Sequence, residues 1–67
     1  MKFYIKERHN PQLDKPYYVL LGKLSKNMAL KHIKNCIYGS NNLLSFENEK
    51  EYTDKIDELK FHGFQLH

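Results

Sequence analysis

Two side chains with metal-binding or nucleophilic chemistry stand four residues apart, His32 and Cys36. Residues i and i+4 of a helix share one face, so the pair would meet a single ion or substrate. Zinc needs two more ligands, and the other imidazoles, His9, His62 and His67, have no paired spacing. A Cys–His nucleophile needs a depressed thiol pKa and an oxyanion site. So short a chain has little room for the concave pocket a substrate requires. The pair therefore reads as a small packed cysteine flanked by a histidine. No metal ligand set, no cofactor and no enzyme motif is expected. The carboxylates Glu47, Glu49, Glu51, Asp54, Asp57 and Glu58 lack the alternating ligand loop of an EF-hand. Acids at a helix start complement its dipole, and a charge run ordinarily faces water. The alternative use of that run, residues 47–58, is an acidic docking surface.

The basic residues cluster elsewhere. Residues 1–40 hold eight Lys or Arg and two acids, a net of +6, whereas 41–67 hold three Lys and six acids, a net of −3. A chain with electrically opposite halves is built to meet a partner. Lys2, Lys6, Arg8, Lys15, Lys23, Lys26, Lys31 and Lys34 are the candidates for contacting phosphates or an acidic surface. Tyr4 and Tyr18 are candidate stacking platforms beside them. The set lacks an RNP-type aromatic motif, a Gly-x-x-Gly clamp and a helix-turn-helix pattern. It contains one Arg, the residue that most often reads bases.

Length and composition bound the rest. Sixty-seven residues make one domain, 1–67, which buries only about 60% of its unfolded surface. Nine Phe and Tyr supply large buried area per residue and argue against disorder. A single cysteine permits no internal disulfide and fits a reducing cytoplasm. The start of the chain has no apolar signal region, and the longest apolar run, Tyr17–Leu21, is far short of the ~20 residues a membrane span needs. The expectation is a cytoplasmic protein that does not enter membranes.

The elements that must position these residues follow from periodicity. Phe3 and Ile5 alternate with Lys2, Tyr4 and Lys6, which predicts a strand over 2–8. Residues 9–16, with two prolines, read as a loop. Residues 17–21 are apolar on both faces and read as a second strand. Ser25 is a candidate N-cap for a helix to about Tyr38, with Ala29, Leu30, Ile33, Cys36 and Ile37 on one face and Gly39 as its stop. Residues 43–46 make a third strand. Asn48 with Glu51 has the form of a capping box for a second helix to about His62, where Tyr52, Ile56 and Leu59 form the apolar stripe. Gly63 ends it before a last strand at 64–66. The order β-β-α-β-α-β predicts a two-layer α+β domain, with two helices on one face of a small, mainly antiparallel sheet.

Placing Phe3, Ile5, Tyr17, Val19 and Leu21 toward the helices turns Tyr4, Tyr18 and Leu20 toward an uncovered face; the alternative is that the alternation is locally broken and the loop 9–16 folds over it. An exposed aromatic patch on so small a domain marks a partner or a homodimer. Tyr4, Tyr18 and Leu20 are then the apolar anchor, and Lys6, Arg8 and Lys23 the rim that steers an acidic partner. Lys26, Lys31 and Lys34 serve the alternative of nucleic-acid binding.

The run Ile5-Lys-Glu-Arg-His-Asn-Pro-Gln-Leu13, then Tyr17-Tyr-Val, Gly22-Lys-Leu-Ser-Lys26 and Tyr38-Gly-Ser-Asn41, resembles small accessory proteins of tailed bacteriophages. That resemblance implies a non-enzymatic module that binds a host protein in the bacterial cytoplasm and modulates or inhibits it, as in host takeover. The last 20 residues or so, a Lys/Glu/Leu helix followed by Gly63 and a short strand, also resemble the end of the C-terminal domain of the bacterial ribosomal stalk protein.

Overall fold

The computed structural model describes residues 1–33 and 38–67. Strand β1 (Lys2–His9) pairs antiparallel with β2 (Tyr17–Leu24) on one side and with β3 (Ser40–Phe46) on the other. Strand β4 (Gln65–Leu66) adds to β2 in parallel, giving the order β3-β1-β2-β4. Helix α1 (Lys26–Leu30) lies between β2 and β3 in the chain, and α2 (Glu49–Phe61) between β3 and β4. The α+β class, the order of elements and the mainly antiparallel sheet are as the sequence predicts.

Both expected caps form. The Ser25 hydroxyl accepts the Met28 N–H at 3.3 Å, and Asn48 Oδ1 accepts the Glu51 N–H at 2.9 Å. Glu51 reaches back to accept the Glu47 N–H at 3.2 Å, one residue before the N-cap N–H that a capping box would bind. Helix α1 ends sooner than its apolar spacing predicts. After Leu30 the N–H groups of Lys31, His32 and Ile33 bond three residues back, a tightened turn rather than α-helix. Gly39 is therefore not that helix's stop. It turns the chain into β3 with φ +78°, pressed so closely on the His9 carbonyl that no Cβ fits.

The helices differ from expectation in position: they lie on opposite faces of the sheet. Strands β2, β3 and β4 all run the same way, since β2 and β3 each oppose β1 and β4 is parallel to β2. The connection β2-α1-β3 crosses the sheet in one direction, and β3-α2-β4 crosses back. Two crossovers of the same hand, travelling in opposite directions, must use opposite faces. One small sheet is thus covered by α2 on one side and by the short α1 on the other.

The main core lies under α2. Ile5, Tyr18 and Leu59 are buried there, with Leu20, Leu44, Phe46, Tyr52, Ile56, Phe64 and Leu66 packed around them. The Phe3 and Tyr52 rings lie 5.1 Å apart, and Tyr18 meets Phe64 edge-on at 5.4 Å. Register explains why Tyr18 and Leu20 face this way. Ile5 stands opposite Leu20 and Glu7 opposite Tyr18, so all four share a face. A bulge follows, because Tyr4 pairs with Gly22 and Leu21 is left over. Gly22 takes φ +74°, and its N–H donates to the Tyr52 hydroxyl at 3.2 Å.

Candidate functional site

Strand β1 sorts its charges by alternation. Phe3, Ile5 and Glu7 take the α2 side; Lys2, Tyr4, Lys6 and Arg8 take the α1 side. Opposite Lys6 and Arg8 stand Val19 and Tyr17 of β2, with Leu43 and Asn41 of β3 on the other flank. Helix α1 walls this surface. The result is a groove of about 480 Å³ lined by Lys6, Arg8, Tyr17, Met28, Lys31, His32 and Asn41. A second depression, about 500 Å³, continues along β1 and β3 and is lined by Met1, Lys2, Tyr4, Ser25, Lys26, Leu43 and Ser45. No carboxylate lines either.

The parts are held by the backbone around them. The C-terminal residue His67 bonds both ways to β2: its N–H reaches the Tyr18 carbonyl at 2.8 Å, and its carbonyl accepts the Leu20 N–H at 2.9 Å. That places the His67 ring edge-on to Tyr17, 5.2 Å between centroids. The Arg8 guanidinium donates to the carbonyls of Tyr38, at 2.9 Å, of Ser40, at 3.3 Å, and of His9. These acceptors are neutral, so Arg8 pins the start of β3 and still lends its charge to the groove.

Most of the acids sit across the sheet. Glu49, Glu51, Asp54, Asp57 and Glu58 all belong to α2. Glu7 is tied there as well, accepting from the Tyr18 hydroxyl at 2.7 Å and the Asn42 amide at 3.0 Å. Those two bonds hold its carboxyl below the usual range, the hydroxyl contributing most. In return burial, and then the bond to Glu7, push the Tyr18 phenol up to about 12. Lys2 pairs with Glu47 at 2.9 Å, which raises the Lys2 ammonium pKa. Lys6 and Lys31 have no carboxylate partner among the described residues.

Several expectations change. Tyr4 is 4% and Tyr18 5% exposed, on opposite faces, and Leu20 packs into the α2 core. The exposed apolar anchor made of these three residues does not exist. The cause is the β2 register, which turns Tyr18 and Leu20 inward, and α1, which covers the Tyr4 side. Of the rim, Lys6 and Arg8 reach the groove. Lys23 is exposed but stands opposite Phe3, where alternation puts it on the α2 side. Lys26 and Lys31 are exposed on and just after α1 and join the two depressions. Lys34 and Cys36 lie outside the described residues. His32 is exposed in the groove wall, and no cluster of three metal-ligating side chains occurs among the described residues. Tyr17 and Asn41 line the groove although the sequence pattern does not single them out, and His32 lines it in a setting other than the Cys36 pair. The signal that finds Tyr17 is its pairing with Arg8, which periodicity alone cannot supply.

No protein-family model, curated protein or solved structure matches this chain. The groove and its charges are therefore what bears on function. No helix among the described residues is long and apolar enough to cross a membrane.

Proposed function

We propose that this protein is a non-enzymatic binding module whose α1-side groove takes a nucleic-acid strand. The carrying observation is the pairing of Lys6, Arg8 and Lys31 with Tyr17 and His32 in a groove free of carboxylates, while five of the eight acids belong to α2 on the opposite face. Lysines without acid partners keep their charge for phosphates, and each phosphate neutralised releases a counterion. Half-buried Tyr17 offers a ring for a base. Lys26 extends the basic track into the second depression, where Lys2 is paired with Glu47.

Fluorescence anisotropy with a labelled single-stranded oligonucleotide at two salt concentrations tests this. The expected result is binding at low salt that weakens steeply as salt rises. Reversing two charges, Lys6→Glu with Lys31→Glu, should weaken it by tenfold or more. Absence of binding at low salt, or binding indifferent to that pair, refutes the reading.

A second reading is a host protein with an acidic patch, which the module would modulate or inhibit. Met28 in the groove wall, 48% exposed, favours it by adding an apolar contact beside the lysines. Under this reading the oligonucleotide is not bound, yet the same charge reversal releases the protein partner.

A further inference from the structure

The second depression, about 500 Å³, differs in chemistry from the groove it adjoins. Small-ligand sites span roughly 300–1,000 Å³. Its apolar lining is the Tyr4 ring and half-buried Leu43. Its polar lining is three hydroxyls, those of Tyr4, Ser25 and Ser45, with the exposed Lys26 ammonium beside them. Register explains the grouping. Tyr4 stands opposite Ser45 of β3, and Leu43 opposite Lys6, one step along the same face. Ser25 and Lys26 enter from the start of α1.

Tyr4 is the informative member. It is only 4% exposed and lines the depression. Its hydroxyl has no hydrogen-bond partner among the described residues and is not sealed from water. The Tyr18 and Tyr52 hydroxyls, by contrast, are engaged, with Glu7 at 2.7 Å and the Gly22 N–H at 3.2 Å. Phenylalanine at position 4 would bury the same ring without a polar group left to satisfy. A buried phenol that keeps its hydroxyl at an opening is set for a ligand with hydrogen-bonding edges.

We infer that this depression takes one unpaired base of the strand that the groove is proposed to bind, and the inference rests on that proposal. A base presents flat faces to Tyr4 and Leu43, and its rim of donors and acceptors meets hydroxyls, which both donate and accept. Tyr4 and Lys6 are alternate residues of β1, roughly 7 Å apart on one face. A strand with a phosphate on Lys6 therefore brings a neighbouring base to Tyr4. Lys26 has no carboxylate partner among the described residues and is placed for a further phosphate. A base held in a duplex would have to unstack and unpair before entering.

Fluorescence anisotropy at low salt would compare a labelled single-stranded oligonucleotide with an abasic strand of equal length. Tyr4→Phe should weaken the base-bearing strand about fivefold, the loss of one hydrogen bond. It should leave both the abasic strand's affinity and the melting point unchanged, whereas loss of a merely structural group would lower the melting point and weaken both strands. If Tyr4→Phe binds the base-bearing strand like wild type while Lys6→Glu with Lys31→Glu still weakens it, the base site is overturned and the groove is not. Absence of binding by wild type removes both. If Tyr4→Phe lowers the melting point, NMR contacts between Leu43 methyls and base protons in the wild-type complex decide. Their presence supports the base site and their absence overturns it.

Discussion

On the α2 side of the sheet, Ile5, Tyr18 and Leu59 are at most 5% exposed and the rings of Phe3, Phe46, Tyr52 and Phe64 pack around them. On the α1 side, Lys6, Arg8, Tyr17 and Lys31 border an open groove, and among the described residues only Tyr4 and Ala29 are buried there. Strand β1 serves both sides with alternate residues. Thirteen-residue α2 spans the sheet, whereas five-residue α1 cannot. The lesson is that a domain this small dedicates one face to holding together and leaves the other incompletely roofed. Charge follows the same division in part, with five of the eight acids on α2, and Lys6 and Lys31, which have no carboxylate partner among the described residues, at the groove.

The largest test of that division is Ile5→Ala. Removing a wholly buried side chain costs about 2–5 kcal/mol, enough to unfold a domain of this size at room temperature, and a thermal melt reads it directly. Met28→Ala on the other side should leave the melting point nearly unchanged. A smaller effect is expected for Tyr18→Phe, which removes the hydroxyl donated to Glu7. A hydrogen bond to a charged group is worth about 1.5–3 kcal/mol, and urea unfolding should show a loss at the low end of that range.

The same pair sets a pH dependence. The folded Glu7 carboxyl lies below its ordinary pKa, so its stabilisation is present above the unfolded value and disappears as pH falls through the folded one. Tyr18 acts at the other end. Its phenol is pushed from 10.0 up to about 12, so above pH 10 the unfolded chain ionises first, and stability falls until about 12. Tyr18→Phe should flatten both limbs of a stability–pH profile, whereas changes in the groove should leave them intact. Smallest of all is the effect of Lys6→Glu with Lys31→Glu on stability, within about 0.5 kcal/mol for surface positions, although the pair should weaken oligonucleotide binding strongly.

Much of this arrangement is legible in the chain. Ser25 and Asn48 announce their helices because a cap is a local hydrogen bond, and Lys2 to Glu7 announce a two-faced strand because their types alternate. The second strand is different. Tyr17-Tyr18-Val19-Leu20-Leu21 is apolar at every position, so its pattern does not say which residues face in. Cross-strand register decides that, and the bulge at Leu21 reverses it before the strand ends. Two tyrosines expected on one open face are consequently buried on two different ones. The placement of α1 escaped for a related reason: the hand and direction of a crossover depend on strand order, which helical spacing does not carry. Only with the order β3-β1-β2-β4 in place do Lys6, Arg8, Tyr17 and Lys31 become neighbours.

The most direct test of one binding face and one stabilising face is residue-by-residue. The amide and side-chain NMR signals of the labelled protein would be followed while an unlabelled single-stranded oligonucleotide is added at low salt. The account predicts shifts confined to the α1 side, at Lys6, Arg8, Tyr17, Lys26, Lys31, His32, Asn41 and the Tyr4 depression, with Tyr52, Ile56 and Leu59 unmoved. Shifts centred on α2, or none at a large excess of oligonucleotide, would contradict it.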